Sequence, residues 1–168
     1  MTSPLLLIMN KLPKRKNNRL LTYDYKTGGY YFITICSRDR RPLFSRITVG
    51  AAICRPPYVE LTPIGKIIET AIREIPAHYD GVTAGHYVIM PNHIHLLLCL
   101  ETDGRQVAAP TVIGHLKRAV SARVGYTVWQ KGFYDHIIRD ERDYLIHLQY
   151  IENNPAKWTE DPYHTTQP

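Results

Sequence analysis

The run Val88-Ile89-Met90-Pro91-Asn92-His93-Ile94-His95-Leu96-Leu97-Leu98 constrains this chain more than any other segment. It reads as a strand, in which residues two apart share a face. His93 and His95 therefore project together, with Ile94 and the leucines filling the sheet around them. Imidazole is costly to bury in such a strand unless something binds it, so the pair reads as half of a metal site. The competing reading is a pair of hydrogen-bonded histidines on a half-exposed strand. The metal reading needs a third ligand and a reacting group from elsewhere in the chain.

At 168 residues the chain is long enough to bury a real core as one domain. Hydrophobic content of 44% with 21% charged residues describes a globular protein rather than a disordered one. Lys and Arg outnumber Asp and Glu by 21 to 15, which points to a polyanionic partner, nucleic acid before anionic membrane. Cys36, Cys54 and Cys99 are few and widely separated, with no CxxC spacing, so neither a disulfide framework nor a cysteine zinc site is expected. Cys99 shares parity with the histidines but sits roughly 13 Å beyond His95 along a strand, too far to join one ion. The expected compartment is the reducing cytoplasm. The N-terminal apolar run Leu5–Met9 is too short for a membrane span, and no membrane partner is expected.

Residues 1–20 read as a basic, flexible arm carrying Lys14, Arg15, Lys16 and Arg19; 21–160 as a single domain; and 161–168 as a tail. The first strand is Tyr30–Cys36, and residues 43–60 are a short hairpin or an irregular excursion. Thr62 as N-cap and Pro63 at the first helical position open a helix with the stripe Ile64, Ile67, Ile68, Ala71, Ile72 and Ile75, ended by Pro76. Strands over 82–90 and 93–100, a helix over 111–124, a strand over 133–138 and a helix over 141–154 follow. The expected class is α+β: a ferredoxin-like βαββαβ antiparallel sheet with helices on one face, plus an extra C-terminal helix.

That last helix is capped by Asp140, with acids in its first turn. At about 100° per residue Tyr144, Leu145, Leu148 and Ile151 form its apolar stripe, and Tyr150 falls roughly opposite with His147 and Asn154. Tyr150 and Asn154, four apart, address one point in space. If the helix packs beside the histidine strand, Asn154 completes a two-histidine, one-amide site with positions open to a phosphate oxygen, and Tyr150 lies beside it as a nucleophile. A phenol with pKa near 10 attacks poorly at neutral pH unless a cation assists. His147 and Asn153 are rival third ligands, Pro155 disfavours helical geometry at Asn154, and Tyr144 is the alternative nucleophile.

Together these residues resemble the HUH single-strand endonucleases of the single-tyrosine branch, and more closely the REP-associated tyrosine transposases. The resemblance rests on Met90-Pro91-Asn92-His93-Ile94-His95-Leu96-Leu97 and on Tyr150-Ile151-Glu152-Asn153-Asn154-Pro155. Tyr23-Asp24-Tyr25, Gly29–Cys36 and Trp129–His136 add to it, so that it spans roughly residues 12–160. It implies an HUH-type transposase domain and a nick in single-stranded DNA dependent on Mg²⁺ or Mn²⁺. Tyr150 is then linked to the 5′ phosphate, with His93, His95 and Asn154 as metal ligands. It also implies recognition of palindromic repeat hairpins, by a monomer or a homodimer. Asn154 stands where related insertion-sequence transposases tend to carry glutamine. Asn153-Asn154-Pro155-Ala156 departs from the branch's frequent Leu-Asn-Pro-Val.

Between Gly104 and Tyr134 there is no Asp or Glu, whereas Arg105, Lys117, Arg118, Arg123 and Lys131 all fall there. A stretch of one sign reads as a phosphate-contacting surface. Trp129, Tyr126 and Phe133 are candidates to stack on unpaired bases, and His136 is a base contact, a neighbour of the site or a plain strand histidine. A second reading is a hairpin-binding module that does not cut. A third, a zinc hydrolase built on the two histidines, lacks an acidic ligand near them in sequence.

Overall fold

The computed structural model describes residues 28–48, 57–101 and 107–164. Lys14, Arg15, Lys16, Arg19, Cys54 and Arg105 lie outside them. In chain order the elements are β1 (Gly29–Cys36), β2 (Ser45–Thr48), β3 (Tyr58–Leu61), α1 (Pro63–Arg73), α2 (Ile75–His78), β4 (Val82–Ile89), β5 (His93–Leu100), α3 (Ala109–Val124), β6 (Tyr134–Ile138) and α4 (Glu141–Asn153). Short 3-10 turns occupy Arg38–Arg40 and Trp158–Glu160. The class is α+β, as expected. β4, β5, β1 and β6 form one sheet in that order, and every pairing is antiparallel. The excursion after β1 is a hairpin, β2 against β3.

Strand parity divides the sheet into two faces. Ile33 and Ile35 of β1 and Ile94, Leu96, Leu98 and Leu100 of β5 meet α1 and α3 in the main core. On the opposite face Phe32 and Leu97 pack with Ile151 of α4, flanked by Val88, Ile138, Tyr144 and Leu148. β5 is therefore covered on both sides, which is why its sequence is apolar almost throughout. α4 lies on the face that carries His93 and His95.

Local signals hold where backbone chemistry enforces them. Thr62 caps α1 by accepting from the Gly65 N–H at 3.1 Å, with Pro63 in the first turn. Its hydroxyl donates to the carbonyls of Leu43 and Phe44, tying α1 to the hairpin. Gly65 is required there: a Cβ would sit 2.0 Å from the Phe44 carbonyl oxygen. Three expectations need correction. Pro76 does not end the first helix; the break comes at Glu74, and Pro76 sits in the first turn of α2, where its missing N–H costs nothing. Leu145 is exposed, and the packed face of α4 runs through Tyr144, Leu148 and Ile151, with His147 on Phe32. Asn154 keeps right-handed helical angles, φ −57° and ψ −42°, despite Pro155. The bias against that geometry before proline is a preference, and here the buried amide is anchored by Asp161.

Candidate metal centre and its tyrosine

β5 places His93 and His95 side by side, both fully buried, with ring centroids 4.5 Å apart. Each ring is held through Nδ1. His95 Nδ1 lies 2.8 Å from Oγ1 of Thr34, its partner across the ladder. His93 Nδ1 lies 2.8 Å from Asn92 Oδ1. The amide nitrogen of Asn92 donates to the carbonyls of Tyr163, at 2.7 Å, and Arg40, which fixes the amide so that Oδ1 faces the ring. An amide oxygen can only accept, so His93 Nδ1 carries the proton and Nε2 keeps its lone pair. Burial, helped by the charge of Arg40, lowers the His93 pKa to about 3. Burial, then His93 and His147, pushes His95 well down as well. Both imidazoles are neutral at pH 7, the form in which they bind metals.

The Nε2 atoms of both histidines and Oδ1 of Asn154 are buried without a hydrogen-bond partner. Asn154 donates its amide N–H to Asp161 Oδ2 at 3.0 Å, leaving its oxygen the free atom. Asp161 Oδ2 also lies 3.8 Å from His93 Nε2. With His93 neutral this is a close approach of two electron-pair donors, not an ion pair. Ligand atoms of His93, His95 and Asp161 all lie within 4.8 Å of one another. Three donors with unshared pairs and a buried carboxylate fit a divalent cation: imidazole nitrogens suit zinc-like ions, and amide and carboxylate oxygens suit Mg²⁺ or Mn²⁺. The hydrogen bonds from Asn92 and Thr34 are the kind that orient metal-binding rings.

Tyr150 stands at the edge of this group. Its ring is 5.1 Å from that of His95 and edge-on. It is 38% exposed and so reachable from solvent, and it borders a cleft of about 320 Å³ with Asn154, Lys157, Asp161 and Pro162. Burial and the Asp161 charge raise its pKa, and the Asn154 amide opposes them. Left alone, this phenol is a poorer nucleophile at neutral pH than a free one, so its chemistry needs a nearby cation. Arg40 sits at the rim. Its guanidinium lies 5.2 Å over the Tyr163 ring, which is itself 4.8 Å from His93. Asp39 and Arg40 hold positive φ of 57° and 53°, a costly backbone for such residues.

No family model matches the chain. An uncharacterized protein of Haemophilus influenzae is 31% identical over 171 residues, covering 88% of this chain and 91% of its own. A second H. influenzae protein, named provisionally as a REP-associated tyrosine transposase, is 28% identical over 80% of this chain and 74% of its own. The REP-associated tyrosine transposase of Escherichia coli is 25% identical over 79% and 70%. A solved structure described as a REP-associated tyrosine transposase bound to a REP hairpin superposes with a TM-score of 0.62 at 24% identity, covering 83% of this chain and 74% of its own. The chain is thus a homologue of proteins named REP-associated tyrosine transposases.

His93, His95, Asn154 and Tyr150 of this chain meet at one place. The rival residues do not join them. Asn153 is exposed. His147 turns its Nδ1 to Asp143, and Tyr144 packs edge-on against Tyr30. Trp129 is corrected: it is buried against Phe44 and donates to the Lys117 carbonyl, with no face for a base. Lys117 is half-buried and donates to the carbonyls of Gln130 and Gly132. Arg123 pairs with Glu74, and His136 pairs with Asp143. Arg118 and Lys131 are exposed. Sequence reasoning missed Asp161, which it left in a tail, and Asn92 and Thr34. Only the parity of Thr34 with its strand neighbours offered any signal.

Proposed function

We propose that this protein is a metal-dependent single-strand DNA endonuclease and strand transferase that acts at palindromic repeat hairpins. Its nucleophile is Tyr150, and its metal ligands are His93, His95 and Asn154, joined by Asp161. The observation that carries the reading is the set of buried, unpartnered lone pairs on His93, His95 and Asn154 beside a reachable phenol. Mg²⁺ or Mn²⁺, when bound, supplies the positive charge that neutralises the phosphate and the transition state. The Tyr150 oxygen attacks the phosphorus, the bond to the 3′ oxygen breaks, and a 5′-phosphotyrosine and a free 3′ hydroxyl result. A second 3′ hydroxyl reverses the step and joins a new strand. Asn92 and Thr34 hold the imidazoles, and α4 holds the phenol. The sheet order supports reading the frame as ferredoxin-like, with the tyrosine helix added on the open face.

The DNA partner is supported by the hairpin in the similar solved structure and by basic residues that collect near His93. The 128–132 loop is tied to the end of β1, with Arg38 N–H on the Val128 carbonyl at 2.7 Å and Gln130 N–H on the Cys36 carbonyl at 2.9 Å. Exposed Lys131 and Arg38, Arg40 and Arg41 thus lie at the sheet end that carries His93. We assign phosphate contacts to these, to Arg118 and to the arm residues Lys14, Arg15, Lys16 and Arg19. We take a monomer or a homodimer as the acting unit and the cytoplasm as its setting.

The test is a labelled hairpin oligonucleotide with a single-stranded flank, incubated with Mg²⁺ or Mn²⁺ and resolved in SDS. An SDS-stable adduct is expected, lost in Tyr150→Phe and kept in Tyr144→Phe, with hairpin affinity unchanged within a few fold. Tight binding without an adduct from any hairpin would instead identify a module that binds and does not cut.

A further inference from the structure

Away from His93 and His95, three other side chains converge. His136 comes from β6, and Asp143 and His147 lie one turn apart on α4, where residues four apart share a face. His136 Nε2 is 2.9 and 3.1 Å from the two Asp143 carboxylate oxygens, and His147 Nδ1 is 3.1 Å from one of them. The two imidazoles stack with centroids 4.6 Å apart. All three candidate ligand atoms lie within 4.8 Å of one another, and each residue is partly buried. We propose that His136, Asp143 and His147 form a second metal site, for a divalent transition-metal ion of the zinc type.

The donor chemistry selects the class of ion. Two imidazole nitrogens and one carboxylate oxygen match zinc, whereas Mg²⁺ prefers oxygen and retained water. Zinc bonds of about 2.0–2.1 Å in a tetrahedron put neighbouring ligands about 3.3 Å apart, so the two nitrogen-to-carboxylate separations need to open by only a few tenths of an ångström, and the two nitrogens lie within 4.8 Å of each other. Partial exposure leaves an entry path and room for a water as fourth ligand. The Asp143 carbonyl, 2.8 Å from His147 Nδ1, holds a proton on that nitrogen in the ion-free form. The Asp143 carboxylate likewise faces a proton on His136 Nε2, and binding would displace both protons, to the other ring nitrogen or to solvent, leaving the two lone pairs to the ion. The ion would clamp the first two turns of α4 to β6, one turn before Tyr150. Phe32 is the contact between the two groups, 4.6 Å from His147 and 5.1 Å from His95. The site rests on its own geometry and not on the reaction proposed above.

The test is equilibrium dialysis of the untagged full chain against Zn²⁺, with metal analysis and circular dichroism. His93→Ala/His95→Ala should retain one equivalent, and adding His136→Gln and Asp143→Asn should remove it. In parallel, the wild type should hold two equivalents and His136→Gln one, a comparison that leaves the other histidines intact. With Co²⁺, the visible absorption of the double variant should vanish on adding His136→Gln. A folded double variant that retains no zinc would overturn the proposal and leave a hydrogen-bonded trio. Retention unaffected by His136→Gln and Asp143→Asn would overturn it too, by placing the ion elsewhere. If the double variant fails to fold, equal zinc content in wild type and His136→Gln overturns it in the same way.

Discussion

Acid should unfold the metal-free protein through its two buried imidazoles, and the loss can be sized from the structure. Burial, aided by Arg40, holds His93 at about 3, against 6.5 for an ordinary histidine. Burial, with the charges of His93 and His147, moves His95 the same way. Between those values the unfolded chain binds a proton that the folded chain refuses. Stability is therefore fully present above about pH 6.5 and falls as the pH drops toward 3. Each such histidine costs about 1.4 kcal/mol per pH unit inside the window. Moving from pH 6.5 to 4.5 thus removes about 2 kcal/mol through His93 alone, and His95 adds a loss of the same sign. Against a usual total of about 5–15 kcal/mol this is a large share. The assay is urea unfolding in EDTA at steps of pH between those limits, for the wild type and His93→Gln. Carboxylates common to both cancel in the difference. The variant should lose stability less steeply by about 1.4 kcal/mol per pH unit. Parallel profiles would refute the reasoning, because they would mean that His93 is hydrated or protonated within the fold.

Two further outcomes follow from the surroundings of the site. Asn92→Ala removes the acceptor that fixes His93 Nδ1–H, and Mn²⁺ affinity measured by calorimetry should fall about 10–100-fold, with the fold retained by circular dichroism. Arg40→Gln withdraws a cation from the rim, and the rate of adduct formation at saturating hairpin should fall more than hairpin affinity does. An equal loss in both would mark Arg40 as a plain phosphate contact.

Much of the site was legible because its parts are local. Alternation along β5 put His93 and His95 on one face, and a spacing of four put Tyr150 and Asn154 on one side of α4. Asp140 does cap α4, accepting from the Asp143 N–H at 2.8 Å. Asp161 was not legible. It lies beyond the periodic part of the last helix, and its place depends on the Tyr163 N–H it accepts from and on the clamp from Asn92 to the Tyr163 carbonyl. Trp129 and Lys117 misled for another reason. An aromatic ring and a long cationic stem suit a core edge as well as a DNA surface, and composition does not distinguish the two.

By itself, the order of residues determined which side chains share a strand or helix face and which helix ends are capped. Those depend on backbone geometry over a few residues. Only the tertiary structure decided that β5, α4 and the segment at Asp161 meet, that their spare lone pairs are sealed from water, and that His136, Asp143 and His147 gather separately. Such meetings are settled by packing against Phe32, Leu97 and Ile151 across long stretches of chain, where no short-range pattern operates.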